Sequence, residues 1–91
     1  MGIRYMTVYG WPKTEGSGAV EGVKAFENYG KVLKKHKCKL LFWAGSFGVP
    51  EPVMCAIEFD DIKDWETAGS ELQEANPLTK TRTVFGWDYR S

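Results

Sequence analysis

Few side chains in this sequence have types suited to acid–base chemistry, and the single histidine is the first of them. His36 lies in the stretch LKKHKCKLLFWAG, where a charged segment gives way to an apolar one. Histidine is the side chain that titrates closest to neutrality, so His36 is a candidate general acid or base. The alternative is that it closes a helix by bonding the last carbonyl groups. The lysines around it, and the lack of an adjacent acidic residue, favour helix closure.

Charged residues inside strand-like segments form the second candidate set. Glu58 interrupts the apolar run VMCAIEF, Arg4 lies in IRYMTVY and Arg82 in TKTRTVFGWDY. We expect all three on one side of a sheet, with Glu58 contacting at least one arginine. Glu58 or His36 would then deprotonate a substrate, and an arginine would stabilise the enolate. An ion pair with a purely structural role is an equally open interpretation.

Aromatic side chains in the strand-like segments are candidates for binding a planar, apolar ligand. Tyr5, Trp43 and Trp87 are the positions at which we expect contact with such a ligand. For most of the aromatic residues the expected role is packing, either in the core or at an interface between subunits.

Two motifs resemble known binding sites, but the spacing of their residues does not match those sites. The glycines of GSGAVEG follow the pattern G-x-G-x-x-x-G, which differs from the dinucleotide fingerprint, and no parallel sheet is predicted after them. Cys38 and Cys55 are far apart and have a single histidine to join them, so they cannot build a closed zinc site. We expect free, buried thiols, no metal and no cofactor.

Length and charge restrict the class of protein. The 91 residues fit one domain (1–91), with residues 90–91 as a tail. Twelve basic and twelve acidic residues cancel, which argues against a nucleic-acid or membrane-surface partner. No apolar run approaches the ~18 residues needed to span a bilayer. The N-terminus MGIRYMTVYG lacks the pattern of a secretion signal, so we expect a cytoplasmic protein.

Hydrophobic periodicity predicts the elements that position these residues. Strand-like runs alternate with two segments of helical period, each bounded by glycine, proline or acidic residues. The predicted strands are 3–9, 38–47, 53–59 and 79–89, and the predicted helices are 17–36 and 60–77. The order β-α-β-β-α-β predicts an α+β, ferredoxin-like fold. Its four-stranded antiparallel sheet would carry two helices on one face, with the first and third strands in the centre.

The face of the sheet without helices is expected to need a partner. The first and third strands carry apolar residues on both sides, whereas a face exposed to water would alternate with polar residues. A homodimer formed through these faces would bury the apolar face of both subunits in one isologous interface. Met6 and Met54 are the residues expected at that interface.

A resemblance to a known superfamily rests on three features. These are the element order, the helix-to-strand transition Y..VLKKH..KLLF..G, and AIEFDDIKDWETA between the third strand and the second helix. Together they resemble the dimeric α+β barrel superfamily, which includes small cofactor-independent monooxygenases, muconolactone isomerase and stress-responsive barrel proteins. The resemblance implies that two sheets close into a barrel whose lumen binds a small, largely apolar molecule.

Three functions remain open from the sequence. One is a cofactor-independent oxygenase, isomerase or decarboxylase acting on a small apolar or carbonyl-containing metabolite. Another is a protein that binds such a metabolite without turnover. The third is a structural or oligomerisation module. The sequence favours a small-molecule-binding barrel and leaves catalysis undecided.

Overall fold

The computed structural model describes residues 3–13 and 18–87 of the chain. This part forms an α+β fold with one four-stranded antiparallel sheet, compatible with a ferredoxin-like fold. The elements, in chain order, are β1 (Tyr5–Pro12), α1 (Gly18–Lys35), β2 (Cys38–Gly45), β3 (Val53–Phe59), α2 (Ile62–Thr67), α3 (Gly69–Ala75) and β4 (Leu78–Gly86). Among the described residues, none of the three helices combines the length and the apolar character that a membrane span requires.

The sheet has the order β2-β3-β1-β4 and, within the described residues, is open rather than closed into a barrel. The two central strands are those with apolar residues on both sides, as expected for strands that have neighbours along both edges. The register pairs Met6 with Ile57 and Val8 with Cys55, so these four side chains lie on one face. This helix-side face supplies the floor of the core.

Helix α1 covers the helix-side face with a stripe of buried residues. Phe26, Tyr29 and Leu33 lie three and four positions apart, the spacing that places them on one side of a helix. The helix ends where Lys37 adopts a left-handed conformation (φ 63°) and donates its backbone N–H to the carbonyl of Lys34.

The buried hydrophobic residues form one cluster between the helices and the sheet. They are Met6, Val8, Phe26, Tyr29, Leu33, Cys38, Cys55, Ile57, Phe59, Ala68, Leu72 and Leu78. Both cysteines are buried and free, in agreement with the expectation from their spacing.

The predicted second helix is in fact two helices. Asp61 caps α2 by accepting a hydrogen bond from the backbone N–H of Lys63 (2.9 Å), and the helical path breaks at Ala68. Gly69 begins α3, and a glycine lowers helix propensity by about 1 kcal/mol relative to alanine, which weakens the helix beside the break. The described part therefore has three helices where the sequence analysis predicted two.

Strand β1 extends beyond its predicted end at residue 9. It continues to Pro12 through an irregularity in its pairing with β4 between Tyr9 and Trp11. A Cβ at Gly10 would lie 2.9 Å from the carbonyl oxygen of Thr79, so only glycine permits this close approach. Gly10 therefore allows β1 and β4 to stay paired, instead of ending the strand.

Candidate functional site

A cavity of about 330 Å³ lies between the helices and the β1–β4 half of the sheet. This volume falls at the lower end of the range found for small-molecule sites, roughly 300–1,000 Å³. We call it the inner cavity. Its lining residues are Met6 and Val8 of β1, Tyr29 of α1, Trp65 of α2, Gly69, Leu72 and Gln73 of α3, Asn76, and Thr81 and Thr83 of β4.

The break between α2 and α3 contributes to this space. Gly69 lines the cavity, and a Cβ at this position would meet no atom within 4 Å. On the sheet side, Thr81 and Thr83 lie two positions apart on β4, so both face the helices. Larger apolar side chains at these positions would occupy part of the cavity. Small and polar side chains at these three positions leave the cavity open.

The lining combines an apolar floor with uncharged polar groups. Met6, Val8 and Leu72 are fully buried. Trp65, Gln73 and the threonine hydroxyl groups supply hydrogen-bonding groups around them. The Nε1 atom of Trp65 is buried and has no hydrogen-bond partner among residues 3–13 and 18–87.

The cavity is electrically neutral. No Asp, Glu, Lys, Arg or His of the described part is among its lining residues. Burial raises the pKa of the Tyr29 hydroxyl, so this side chain is uncharged at neutral pH. A neutral lining suits an uncharged ligand, because a buried charge without a partner is costly.

The register separates the residues that the sequence analysis placed together. Tyr5 pairs directly with Glu58, so both lie on the face without helices, and Arg4 points to the helix side as Met6 does. Arg4 donates to Asp60 through Nη2 (3.4 Å), and Arg82 pairs with Glu51. The predicted contact of Glu58 with one of these arginines is therefore wrong.

The face without helices, which we call the open face, holds several predicted residues. Tyr5, Thr7, Tyr9, Met54, Ala56, Glu58 and Arg82 lie on it, as do Phe42 and Val84. Phe42 and Val84 are each 50% exposed. Met6, which was expected here with Met54, is instead part of the core.

Arg82 takes part in an ion pair that sequence reasoning missed. Its Nε and Nη2 donate to the two carboxylate oxygens of Glu51 at 2.8 and 3.0 Å, and its guanidinium lies 4.9 Å from the ring centroid of Tyr9. Glu51 is buried, and its hydrogen bond to Arg82 lowers the pKa of the carboxyl group. Glu51 lies between two prolines in a predicted turn, where a solvated carboxylate is the ordinary expectation. The only indication of this ion pair in the sequence was Arg82 itself, because an arginine inside a strand requires an acidic partner.

His36 ends α1 and also contacts α3. Its Nε2 lies 2.9 Å from Oε2 of Glu71, and Lys35 Nζ donates to Oε1 of the same carboxylate at 3.1 Å. These hydrogen bonds, first that of His36 and then that of Lys35, lower the pKa of Glu71. The cluster joins α1 to α3, two of the three helices that border the inner cavity, but neither His36 nor Glu71 lines it.

The two candidate tryptophans lie away from the inner cavity. Trp43 stacks on Phe26 with ring centroids 5.2 Å apart, and both line a second, more open cavity of about 320 Å³ at the other end of α1. Trp87 follows β4 and is 57% exposed. Trp65, which lines the inner cavity, was not among the residues that the sequence analysis selected for a site.

A metal site is not apparent in residues 3–13 and 18–87, which contain no group of three or more metal-ligating side chains. Burial raises the pKa of the Cys55 thiol to about 12 and also raises that of Cys38, so neither cysteine is a thiolate near neutral pH. Comparison of the sequence with models of known protein families found no match, and comparison with curated proteins found no similar sequence.

Proposed function

We propose that this protein binds a small, uncharged and largely apolar molecule in the inner cavity, without chemical turnover. The observation that carries the proposal is the cavity itself. Its volume of about 330 Å³ is bounded by buried residues of the core and by uncharged polar groups. Three of its lining residues, Gln73, Thr81 and Thr83, are exposed, so the cavity opens to solvent and a ligand can enter it.

Binding is favoured over catalysis by the placement of the charged residues. The acid–base candidates, Glu58 and His36, lie outside the cavity, and Glu58 is on the opposite side of the sheet. A general base must come within hydrogen-bond reach of the proton it removes. A ligand in the inner cavity would not meet either group there, which supports binding alone.

The experiment is a nuclear magnetic resonance titration of the ¹⁵N- and methyl-labelled protein with a library of small, neutral molecules. Ligands of the cavity should perturb Met6, Val8 and Leu72. Gly69→Leu places a side chain where the structure has open space and should abolish the perturbation, whereas the neighbouring exposed substitution Ser70→Leu should not. A library without a binder, or binders unaffected by Gly69→Leu, would contradict the proposal.

We also propose a homodimer formed through the open face. Phe42 and Val84 are half exposed there, and Tyr5, Tyr9 and Met54 add partly buried apolar surface beside them. A chain this short buries only about 60–65% of its unfolded surface, so covering this face would add stability. The predicted barrel requires this contact between two copies.

Sedimentation at micromolar concentration tests the dimer. The unmodified protein should sediment at twice the monomer mass, and Val84→Lys should shift it to the monomer. Val23→Lys is the matched control, because Val23 is 42% exposed but lies on α1. A monomeric unmodified protein would refute the dimer and leave the proposal for the inner cavity intact.

A further inference from the structure

Glu58 is a charged residue of the open face for which the described part of the chain supplies no partner. Its side chain lies on the central strand β3 and is only partly exposed. Lys39 is directly opposite on β2, but the two side chains form no ion pair, and no other described residue pairs with Glu58. If a second copy covers the open face, this carboxylate leaves water and needs a cation within the interface.

Arg82 is a cation of the same face that keeps hydrogen-bond donors for a second acceptor. Its bonds to Glu51 use Nε and Nη2, and its side chain remains 47% exposed. A guanidinium has five N–H groups, so donors remain after this bidentate contact. The buried carboxylate of Glu51 and the ring of Tyr9 hold the guanidinium in position. A second carboxylate would therefore meet a donor group that is already ordered.

Glu58 and Arg82 are too far apart to meet within one subunit. Glu58 is opposite Tyr5 and Arg82 is opposite Tyr9, on the two strands that flank β1. With a rise of about 3.3 Å per residue and a strand spacing of about 4.8 Å, they are separated by roughly 13 Å along the strands and roughly 10 Å across them. The midpoint between them falls near Thr7 of β1, in the middle of the open face.

We propose that, in a homodimer formed through the open face, Glu58 of each subunit pairs with the partner's Arg82. The inference rests on the proposed dimer and adds the contacts that orient its two sheets. A two-fold axis that passes over Thr7, between the sheets and perpendicular to the line from Glu58 to Arg82, exchanges the two positions. The strands of the two sheets then cross at a steep angle, close to the orthogonal class of sheet packing.

The charge pattern of the open face fits a second copy of this chain. Each copy presents a carboxylate without a partner among the described residues and a guanidinium that is already ordered, on opposite sides of the centre of the face. Two copies therefore complement each other twice in one isologous interface. Packed sheets lie about 10 Å apart, a gap that an arginine and a glutamate side chain bridge from opposite sides.

Charge reversal in two separate chains tests the pairing. Glu58→Arg places guanidinium groups against each other at both symmetric contacts, and Arg82→Glu does the same with carboxylates. Each variant should weaken the dimer by about 100-fold or more in sedimentation equilibrium, because like charges meet twice. An equimolar mixture of the two variants should form a heterodimer, detected by native mass spectrometry, since both contacts again join opposite charges.

Lys39→Glu is the matched control, because Lys39 is the cation directly opposite Glu58 on the same face. Mixed with Glu58→Arg, it should recover no more heterodimer than the unmodified chain recovers. If Arg82→Glu does not fold after losing its pair with Glu51, a double-mutant cycle on dimer dissociation with Glu58→Gln and Arg82→Lys decides. The two changes should be non-additive, because each removes the same contact.

The outcomes separate this pairing from the dimer on which it rests. A dimer that withstands Glu58→Arg, a mixture without heterodimer, or additive effects in the cycle would overturn the pairing and leave the dimer in place. Equal rescue of Glu58→Arg by Lys39→Glu and by Arg82→Glu would overturn it as well. If the unmodified protein is monomeric, both the pairing and the proposed dimer fail.

Discussion

Replacement of two buried leucines by alanine would test whether the inner cavity exists in solution, without knowledge of its ligand. Leu33 and Leu72 are 0% and 1% exposed, and each projects from a helix into the core. Only Leu72 lines the cavity. Leu33→Ala and Leu72→Ala remove the same atoms and make the same change in helix propensity. A difference between their losses in free energy of unfolding therefore reports on how tightly each leucine is packed.

The two substitutions should differ by about 2 kcal/mol in their effect on the free energy of unfolding. Leucine-to-alanine changes in a core cost about 2.7 kcal/mol when the site collapses or is already open, and up to about 5 kcal/mol when a void remains. Leu33 is 0% exposed and lines neither cavity, so we expect its removal to leave a void. A residual void of about 80 Å³ adds about 2 kcal/mol at roughly 24 cal/mol per Å³. At Leu72 the lost volume merges with existing space, so we expect a cost near the lower value.

Equilibrium urea unfolding followed by circular dichroism measures both costs at one protein concentration. The whole domain is expected to have about 5–14 kcal/mol of stability, so Leu72→Ala should remain folded throughout this range, whereas Leu33→Ala, at nearly 5 kcal/mol, remains folded only above its lower bound. A difference of about 2 kcal/mol corresponds to roughly 8–16 °C in melting temperature for a domain of this size. Equal costs, or a larger cost for Leu72→Ala at unchanged m-value, would show that Leu72 is packed on all sides and would refute the cavity.

Three further predictions concern the elements around the site. Gly22→Ala should stabilise the protein by about 0.5–1 kcal/mol, because Gly22 lies in the interior of α1 and no atom lies within 4 Å of the new Cβ. Gly10→Ala should destabilise it, because its Cβ would lie 2.9 Å from the carbonyl oxygen of Thr79. Urea unfolding measures both changes. Glu71→Gln should lower stability at neutral pH. Because the folded protein holds the pKa of Glu71 below its ordinary value of 4.5, this stabilisation should be present above that value and lost as the pH falls below it, as unfolding across acidic pH would show. Arg82→Leu should speed hydrogen exchange in the loop between β2 and β3, which Glu51 ties to β4; unchanged exchange would mean that the ion pair does not hold the loop.

The sequence predicted the elements well where periodicity is strong. The predicted stripe of Val20, Val23, Phe26 and Leu33, with Tyr29 beside it, identified α1, although Val23 is 42% exposed. The apolar run of residues 53–59 matches the bounds of β3. The helix break at Ala68 was missed because apolar residues keep a helical spacing across it. Ala68 belongs to the buried core, and tertiary packing of this kind cannot be read from the spacing of apolar residues.

The sequence analysis placed some side chains on the wrong face of the sheet because it could not determine how neighbouring strands pair. Alternation within β1 and β3 was assigned correctly, but the register between them was a guess. The structure pairs Tyr5 with Glu58, whereas the sequence analysis had put Arg4 on the side of Glu58. A shift of one residue exchanges the two faces of a strand, and no local pattern fixes it when both faces are apolar. Met6 was misplaced for the same reason.

The sheet therefore divides the chemistry of this chain into two compartments. Its helix-side face borders a neutral cavity, and its open face carries Glu58 together with the Arg82–Glu51 pair. A molecule in the cavity is separated from those charges by the backbone of the sheet, so proton transfer from Glu58 to such a ligand has no direct route. If the open face is covered by a second copy, its charges would act within that interface. Loss of the dimer in Val84→Lys and loss of ligand binding in Gly69→Leu should accordingly be independent, and a variant of one face that abolished both would show that the two compartments communicate through the strands they share.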